Sequence, residues 1–331
     1  MASISKGIST GVGEARRLRL PPLLGPLLVL IVLVVGITII NPRFLSPVNI
    51  SNLLRQSSIL LIVALGETYI ILMGGIDLSI EGVMALTSVI IGLLAENYFN
   101  TNDYGILAVL IALLAGALMG FLNGVFHTKL RIPSFMATLG MMYVGLGLAT
   151  WLSNGMNLPI LDTMILSWAR GNVGPIPNLT FFGLVVFFIA FFIERYTRFG
   201  RYVLAIGGAE DRARLSGIPI DKYKILAFTL CGFFVGLGGV LNSARIGAGA
   251  ANSGLNQLFA AITAVVVGGT ALSGGTGGVL GTLIGALIVT VIANGMLLAG
   301  VPSFVQPAVQ GVIITIGVIL TIDRSKLPFI K

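Results

Sequence analysis

The stretch RYTRFGRYVLAIGGAEDRARLSGIPIDKYK, residues 195–224, is the one long polar interval between two hydrophobic blocks of the chain. It carries Arg195, Arg198, Arg201, Arg212, Arg214, Lys222 and Lys224 against Glu210, Asp211 and Asp221, so it is basic. A basic interval so placed reads as a cytoplasmic loop of a multi-span membrane protein, and charge alone supports no more than that. Within it, Gly207 and Gly208 break the chain before a short helical run over 209–216, which Gly217 and Pro219 end. That run sets Ala213 beside Glu210 and Leu215 beside Asp211 and turns the arginines away from the membrane, the layout of a helix that seats in a partner.

Working outward, composition fixes the class. Of 331 residues, 56% are hydrophobic and only 10% charged, with 44 glycines and a mean hydropathy of +1.01. No water-soluble domain has that profile, so the chain reads as a polytopic membrane protein. Abundant small residues favour close-packed helices, and the apolar runs are continuous rather than alternating, which excludes a transmembrane barrel. The net charge of +8 does not point to nucleic acid, because the cations fall in short loops where topology alone demands them. Cys231, the single cysteine, lies in an apolar run and offers neither a disulfide nor a metal cluster.

Apolar runs lie near 23–40, 57–74, 82–97, 105–126, 134–152, 180–194, 225–243, 257–273, 279–299 and 304–322, predicting ten spans. The predicted organisation is a basic tail over 1–22, one transmembrane domain over 23–323 holding the loop at 195–224, and an end segment over 324–331. Parity places the tail, the loop at 127–132, the polar interval and the end segment on one side, and sixteen of the twenty Lys and Arg fall there. Arg43, Arg55, Arg170 and Arg245 fall on the other. The positive-inside rule therefore puts both termini in the cytoplasm.

Two polar turns share the pattern GGxxLS: Gly74 and Gly75 with Asp77 and Ser79, and Gly268 and Gly269 with Thr270 and Ser273. They read either as a parallel internal repeat marking interrupted helices along a transport path, or as a chance likeness of two glycine-rich turns. Asp77 is either a functional intramembrane acid or a helix cap at the interface. His127, the lone histidine, lies beside Lys129 and Arg131 in a short loop and has no Ser-His arrangement around it, which argues against a hydrolase. SGGTGG at 273–278 lacks the lysine of a phosphate-binding loop, so any ATP is bound on another chain. Acids do not line the spans as a proton relay requires, Glu67 being the main exception, which weakens a proton-coupled or facilitative carrier as the alternative.

Four ordered motifs carry a resemblance: GGIDLS at 74–79, RIPSFMATLGMM at 131–142, TRFGRYVLAIGG with ARLSGI at 197–218, and VVVGGTALSGGTGGVLGTLIGALI at 265–288. Together they resemble the ribose-type sugar permeases of bacterial ATP-binding-cassette importers, along nearly all the chain after residue 40. The resemblance implies an all-α, ten-span subunit of the bacterial inner membrane that imports a monosaccharide or polyol. It further implies a dimer of permeases, a separate ATPase holding ATP and Mg, and an extracytoplasmic solute-binding protein. Carried onto this sequence, the helix of Glu210, Asp211, Arg212, Arg214, Leu215 and Gly217 is the ATPase-coupling helix. AEDRARLSGI departs somewhat from the family's commoner form.

Two sets of residues are then expected to act. Ser79, Asn123, Thr138, Asn242, Thr270, Ser273 and Asn294 either line a path whose neutral polar groups match sugar hydroxyls, or bond their own and neighbouring helices. Arg245 first, with Arg43, Arg55 and Arg170, either docks acids of the binding protein or snorkels to lipid headgroups.

Overall fold

The structure is a computed structural model and describes residues 23–321; the basic tail and the C-terminal cations Arg324, Lys326 and Lys331 lie outside the described residues. Among those residues it is a helical bundle: α1 (Leu24–Ile40), α2 (Pro47–Leu72), α3 (Ile80–Leu94), α4 (Ile106–Thr128), α5 (Ser134–Ser153), α6 (Thr163–Arg170), α7 (Asn178–Tyr196), α8 (Arg198–Gly208), α9 (Glu210–Leu215), α10 (Ile220–Ile246), α11 (Gln257–Val267), α12 (Val279–Leu298) and α13 (Gln306–Thr321). Among the described residues strand is confined to residue pairs, β1 (Leu158–Pro159) antiparallel to β4 (Ala248–Gly249) and β2 (Asn172–Val173) antiparallel to β3 (Ile176–Pro177).

Six helices, α2, α4, α5, α7, α10 and α12, are long and apolar enough to cross a membrane. The expected span over 257–273 is shorter than predicted. Its helix, α11, stops at Val267, and 11 residues rise only about 16 Å at roughly 1.5 Å each, about half a hydrocarbon core. What hydropathy read as its second half is a glycine-rich turn.

Helix α2 begins ten residues before the apolar run, because Ser46 accepts a hydrogen bond from the Asn49 N–H and Pro47 occupies the first helical position. Helices α6 and α8 fall where no helix was expected. Asp162 caps α6 by accepting from the Met164 and Ile165 N–H groups at 2.9 and 3.1 Å. Helix α8 is amphipathic and buries Val203 and Ile206, a stripe too short to show among seven cations.

Helix α10 is the axis of the bundle and packs along α4, α2 and α3. Its approach to α4 is backbone against backbone. A Cβ at Gly120 would overlap the Phe228 carbonyl, and one at Gly124 would sit 2.7 Å from the Ile225 Cα. Such closeness supplies dispersion contacts where lipid gives no hydrophobic drive. The membrane also inverts the usual exposure pattern: α2 is buried without interruption from Ser57 to Leu72, whereas Val32, Leu114, Trp151 and Phe188 on α1, α4, α5 and α7 point outward. Gly120→Val is therefore expected to destabilise the purified protein by about 1–3 kcal/mol, read as a fall in its thermal unfolding midpoint in detergent. Gly140→Val, on α5 with nothing within 4 Å, is expected to leave the midpoint unchanged.

Candidate translocation and coupling site

The two GGxxLS turns meet. Gly275 N–H donates to the Leu72 carbonyl at 2.9 Å, and a Cβ at Gly274 would lie 2.7 Å from the Gly74 nitrogen. The end of α8 is wedged into the same contact, since a Cβ at Gly207 would overlap the Leu72 carbonyl and lie 2.6 Å from the Gly275 nitrogen. Each turn closes its helix in the same manner. Gly74 N–H bonds Ile71 O and Gly75 N–H bonds Ile70 O, while Gly269 N–H bonds Val266 O and Thr270 N–H bonds Val265 O. Gly74 and Gly269 hold the positive φ, +75° and +95°. The likeness is therefore one of backbone, shifted one residue from the letter-by-letter match, with the first glycine acting in one turn and the second in the other.

Beside this junction stands the polar interval. Helix α9 buries Ala213, exposes Asp211, Arg212 and Arg214, and leaves Leu215 89% exposed, with Gly217 exposed in the turn that follows. Glu210 binds Lys224 of α10 at 2.8 Å and Arg214 at 3.2 Å, and Lys129 from the α4–α5 loop binds Asp221 at 3.0 Å. These pairs frame an open cleft of 490 Å³ with His127 and Arg131. Burial pushes the Glu210 carboxyl up, but Lys224 and then Arg214 outweigh it and hold it below the ordinary carboxylate value. The hydrogen bond from Lys129 likewise holds Asp221 low.

The opposite end of the bundle gathers the other arginines. Arg170 Nη2 donates to the Ile246 carbonyl at 2.9 Å, completing the C-terminus of α10, and Arg55 donates to Asn172 Oδ1 at 2.6 Å. Arg43 is exposed. Arg245 is only partly exposed and donates to Asn242 Oδ1 at 3.0 Å. Both line a cavity of 360 Å³ between α2, α10, α11, α12 and α13, which also presents Gln56, Gln257, Asn294 and Gln306. Gln257 Oε1 is buried there without a partner. Arg245 supplies the one charge among the described lining residues, so the cavity sets neutral amides and a single strong donor among apolar side chains, a lining suited to uncharged hydroxyls.

With this geometry in hand, the comparisons with known proteins are specific. Residues 49–321 match the model of the family described as branched-chain amino acid transport system / permease component. The chain belongs to that family. It is 37% identical over 304 residues to the ribose import permease of Escherichia coli K12, covering 91% of this chain and 93% of the relative. It is 39% identical over 307 residues to that of Bacillus subtilis 168, covering 92% and 93%. The galactose/methyl galactoside import permease of Escherichia coli K12 is 33% identical over 311 residues, covering 89% and 93%. No solved structure matches the chain. It is thus a multi-pass inner-membrane permease component of a transporter, not an enzyme.

Within this permease the seven expected path residues separate into groups. Asn242 and Asn294 line the cavity, Asn294 also pairing with Asn49 at 2.9 Å. Ser79, Asn123, Thr138 and Thr270 are buried and bonded: Asn123 donates to Ser79 Oγ at 2.9 Å, Thr138 Oγ1 accepts from Leu78 N–H at 2.9 Å, and Thr270 Oγ1 accepts from Gly278 N–H at 3.2 Å. Ser273 is exposed beside the junction. Gln56, Gln257 and Gln306 of the cavity were not singled out from sequence. Gln257 stands two residues after the exposed loop residue Leu255 and carries no motif, so only its position in the fold reveals it.

The ties of α9 are pH-dependent in a calculable direction. A carboxyl held below its unfolded value of about 4.3 contributes stability above that pH and loses it as pH falls through the folded value. A nitroxide on Leu215→Cys, the native Cys231 being buried, is expected to stay restrained at neutral pH and gain mobility as pH falls below about 4. Adding Glu210→Gln is expected to give the mobile spectrum at neutral pH.

Proposed function

We propose that this chain is the membrane subunit of an ATP-driven importer that moves a monosaccharide, a ribose-like pentose or a related sugar or polyol, into the cytoplasm. The observation that carries the reading is the pairing of a neutral amide cavity at one end with a partly tethered, leucine-tipped helix at the other. The relatives named as ribose and galactose permeases supply the class of solute.

In this reading residues 23–323 form one transmembrane domain crossing the bilayer about ten times, with the tail over 1–22, the coupling loop at 195–224 and the end over 324–331 in the cytoplasm. Leu215 and the exposed arginines of α9 seat in a separate ATPase that holds ATP and Mg. The end bearing Arg43 and the cavity mouth receives the solute-binding protein, and a second permease copy completes the conduit. Arg55 and Arg170 brace that end by closing the α6–α7 loop onto α2 and α10, while Arg245 acts inside the cavity. Binding there must stay weak, since a conduit that held its solute tightly would not release it.

The test is reconstitution in proteoliposomes with the cognate ATPase and binding protein. Uptake of ribose or a related sugar that requires ATP and persists after collapse of the proton gradient is expected; uptake that follows the gradient would instead make it a carrier. Gln257→Ala, which removes one neutral hydrogen bond worth about 0.5–1.5 kcal/mol, is expected to slow uptake roughly 2- to 12-fold with basal ATP hydrolysis unchanged. Arg212→Glu with Leu215→Ser is expected to abolish the stimulation of hydrolysis by loaded binding protein while leaving membrane insertion intact. Full stimulation in that variant would remove α9 from coupling.

A further inference from the structure

Directly beneath the junction, two carboxylates are sealed in the protein interior. Glu67 of α2 is 0% exposed and Asp77, in the turn before α3, is 1% exposed. They touch through backbone, Asp77 N–H donating to Glu67 Oε1 at 3.2 Å. Asp77 Oδ1 accepts from the Ser79 N–H at 2.8 Å and from the Ser79 hydroxyl at 2.6 Å, and that hydroxyl accepts from Asn123 Nδ2 of α4. Asp77 is thus a buried acid whose bonds to Ser79 close its own turn, and not a helix cap at the interface.

The cluster lacks positive charge. No Lys, Arg or His is among the buried side chains of the described residues. The other titratable group facing the pair is the Cys231 thiol of α10. His127, Glu210 and Lys224 line a 110 Å³ cavity with Gly74 and Gly75, and neither Glu67 nor Asp77 lines it, while Glu194 of α7 is committed to the Val279 N–H at 2.6 Å. Two polar atoms inside the cluster have no partner: Glu67 Oε2 and Asn123 Oδ1, both acceptors on fully buried side chains that already bond the same turn. Two ionised carboxylates in so dry a site would carry a desolvation cost that nothing nearby offsets.

We propose that Glu67 and Asp77 form a proton-binding site that holds one resident proton, carried on Glu67. The asymmetry of the hydrogen bonds assigns it. Asp77 Oδ1 receives two donors, which favours its ionised form, whereas Glu67 Oε2 receives none, so a proton there puts a donor among acceptors that lack one. The proton is structural to the interrupted helix and is not a transported species, so the site stands whichever solute the permease carries.

Infrared spectroscopy of the purified permease in lipid nanodiscs tests this. A protonated carboxylic acid band is expected to persist at about pH 8, well above the value of about 4.3 for a free glutamate. Glu67→Gln, which copies the shape of the protonated side chain, is expected to accumulate normally and lose that band. Asp77→Asn, which neutralises the acid that binds Ser79, is expected to lower the thermal unfolding midpoint. If Glu67→Gln fails to accumulate, carboxyl-isotope-labelled glutamate in the wild type must shift the band, since Glu67 is the fully buried glutamate among the described residues. Absence of the band in the wild type, its insensitivity to the label, or its loss when sodium replaces choline as the salt cation would overturn the proposal, the last by showing a metal cation in the proton's place. So would a stable Asp77→Asn beside an unstable Glu67→Gln.

Discussion

The hydrogen bond from Gly275 N–H to the Leu72 carbonyl, at 2.9 Å, joins two turns more than 190 residues apart in sequence, and much of the bundle depends on it. Three chain segments share the space around that carbonyl: the turn after α2, the turn before α12 and the end of α8. Side chains would keep them apart, because a Cβ on Gly207, Gly274 or Gly275 meets backbone at 3.0 Å or less. The contact fixes where α2 ends, where α12 begins and how the polar interval sits against both. Glu194 adds a carboxylate at the N-terminus of α12, where unpaired backbone N–H groups favour negative charge, so α7 is tied to the same point.

The interior is polar in a disciplined way. Threonine and serine hydroxyls return their protons to carbonyls one turn back or to each other across helices, as Thr68 and Thr282 do at 2.7 Å and Ser88 and Ser243 at 2.6 Å. Bonds of that kind keep buried helices in register without introducing charge. The amides behave differently according to place. Asn123 is consumed by Ser79 on one side only, whereas Asn242 and Asn294 combine structural bonds with a face on the cavity. Amides held by bonds of their own, as Asn242 and Asn294 are, stand pre-positioned toward a polar solute, which lowers the ordering cost of each weak contact.

Hydropathy made the membrane class and the long helices legible, because a continuous apolar run of that length has few other folds open to it. It failed where polar residues occupy helical positions for local reasons. The first turns of α2 hold Asn49, Ser51 and Asn52 behind a Ser46 cap, and α8 is an eleven-residue helix written largely in arginine, glycine and aromatic residues. It failed in the other direction at α11, where apolar and glycine residues continue past the point at which the backbone turns. The site was legible in proportion to how much of it is backbone. Glycine pairs at 74, 207, 268 and 274 advertise close approach, but which of them meet is a property of three-dimensional packing. The cavity amides have no local signature, since an asparagine facing a path and one bonding its neighbour helix are the same letter.

The same contrast between backbone and side-chain contacts sets how force passes through the molecule. Helix α9 is joined to the bundle by two routes. One is the single ion pair from Glu210 to Lys224 of α10 at 2.8 Å, the Glu210–Arg214 pair lying within α9 itself. The other is covalent, through 216–219 into α10 and through Ala209 into the adjoining end of α8, where Gly207 is clamped between Leu72 and Gly275 with no side chain to yield. A displacement of α9 therefore stretches the soft route and transmits through the stiff one. The stiff route ends on the turns that close α2 and lead into α12, two of the helices that wall the cavity at the other end. A partner that binds α9 differently in two of its own states thus biases two packings of the junction, and the free energy available for moving solute is limited to that difference in binding.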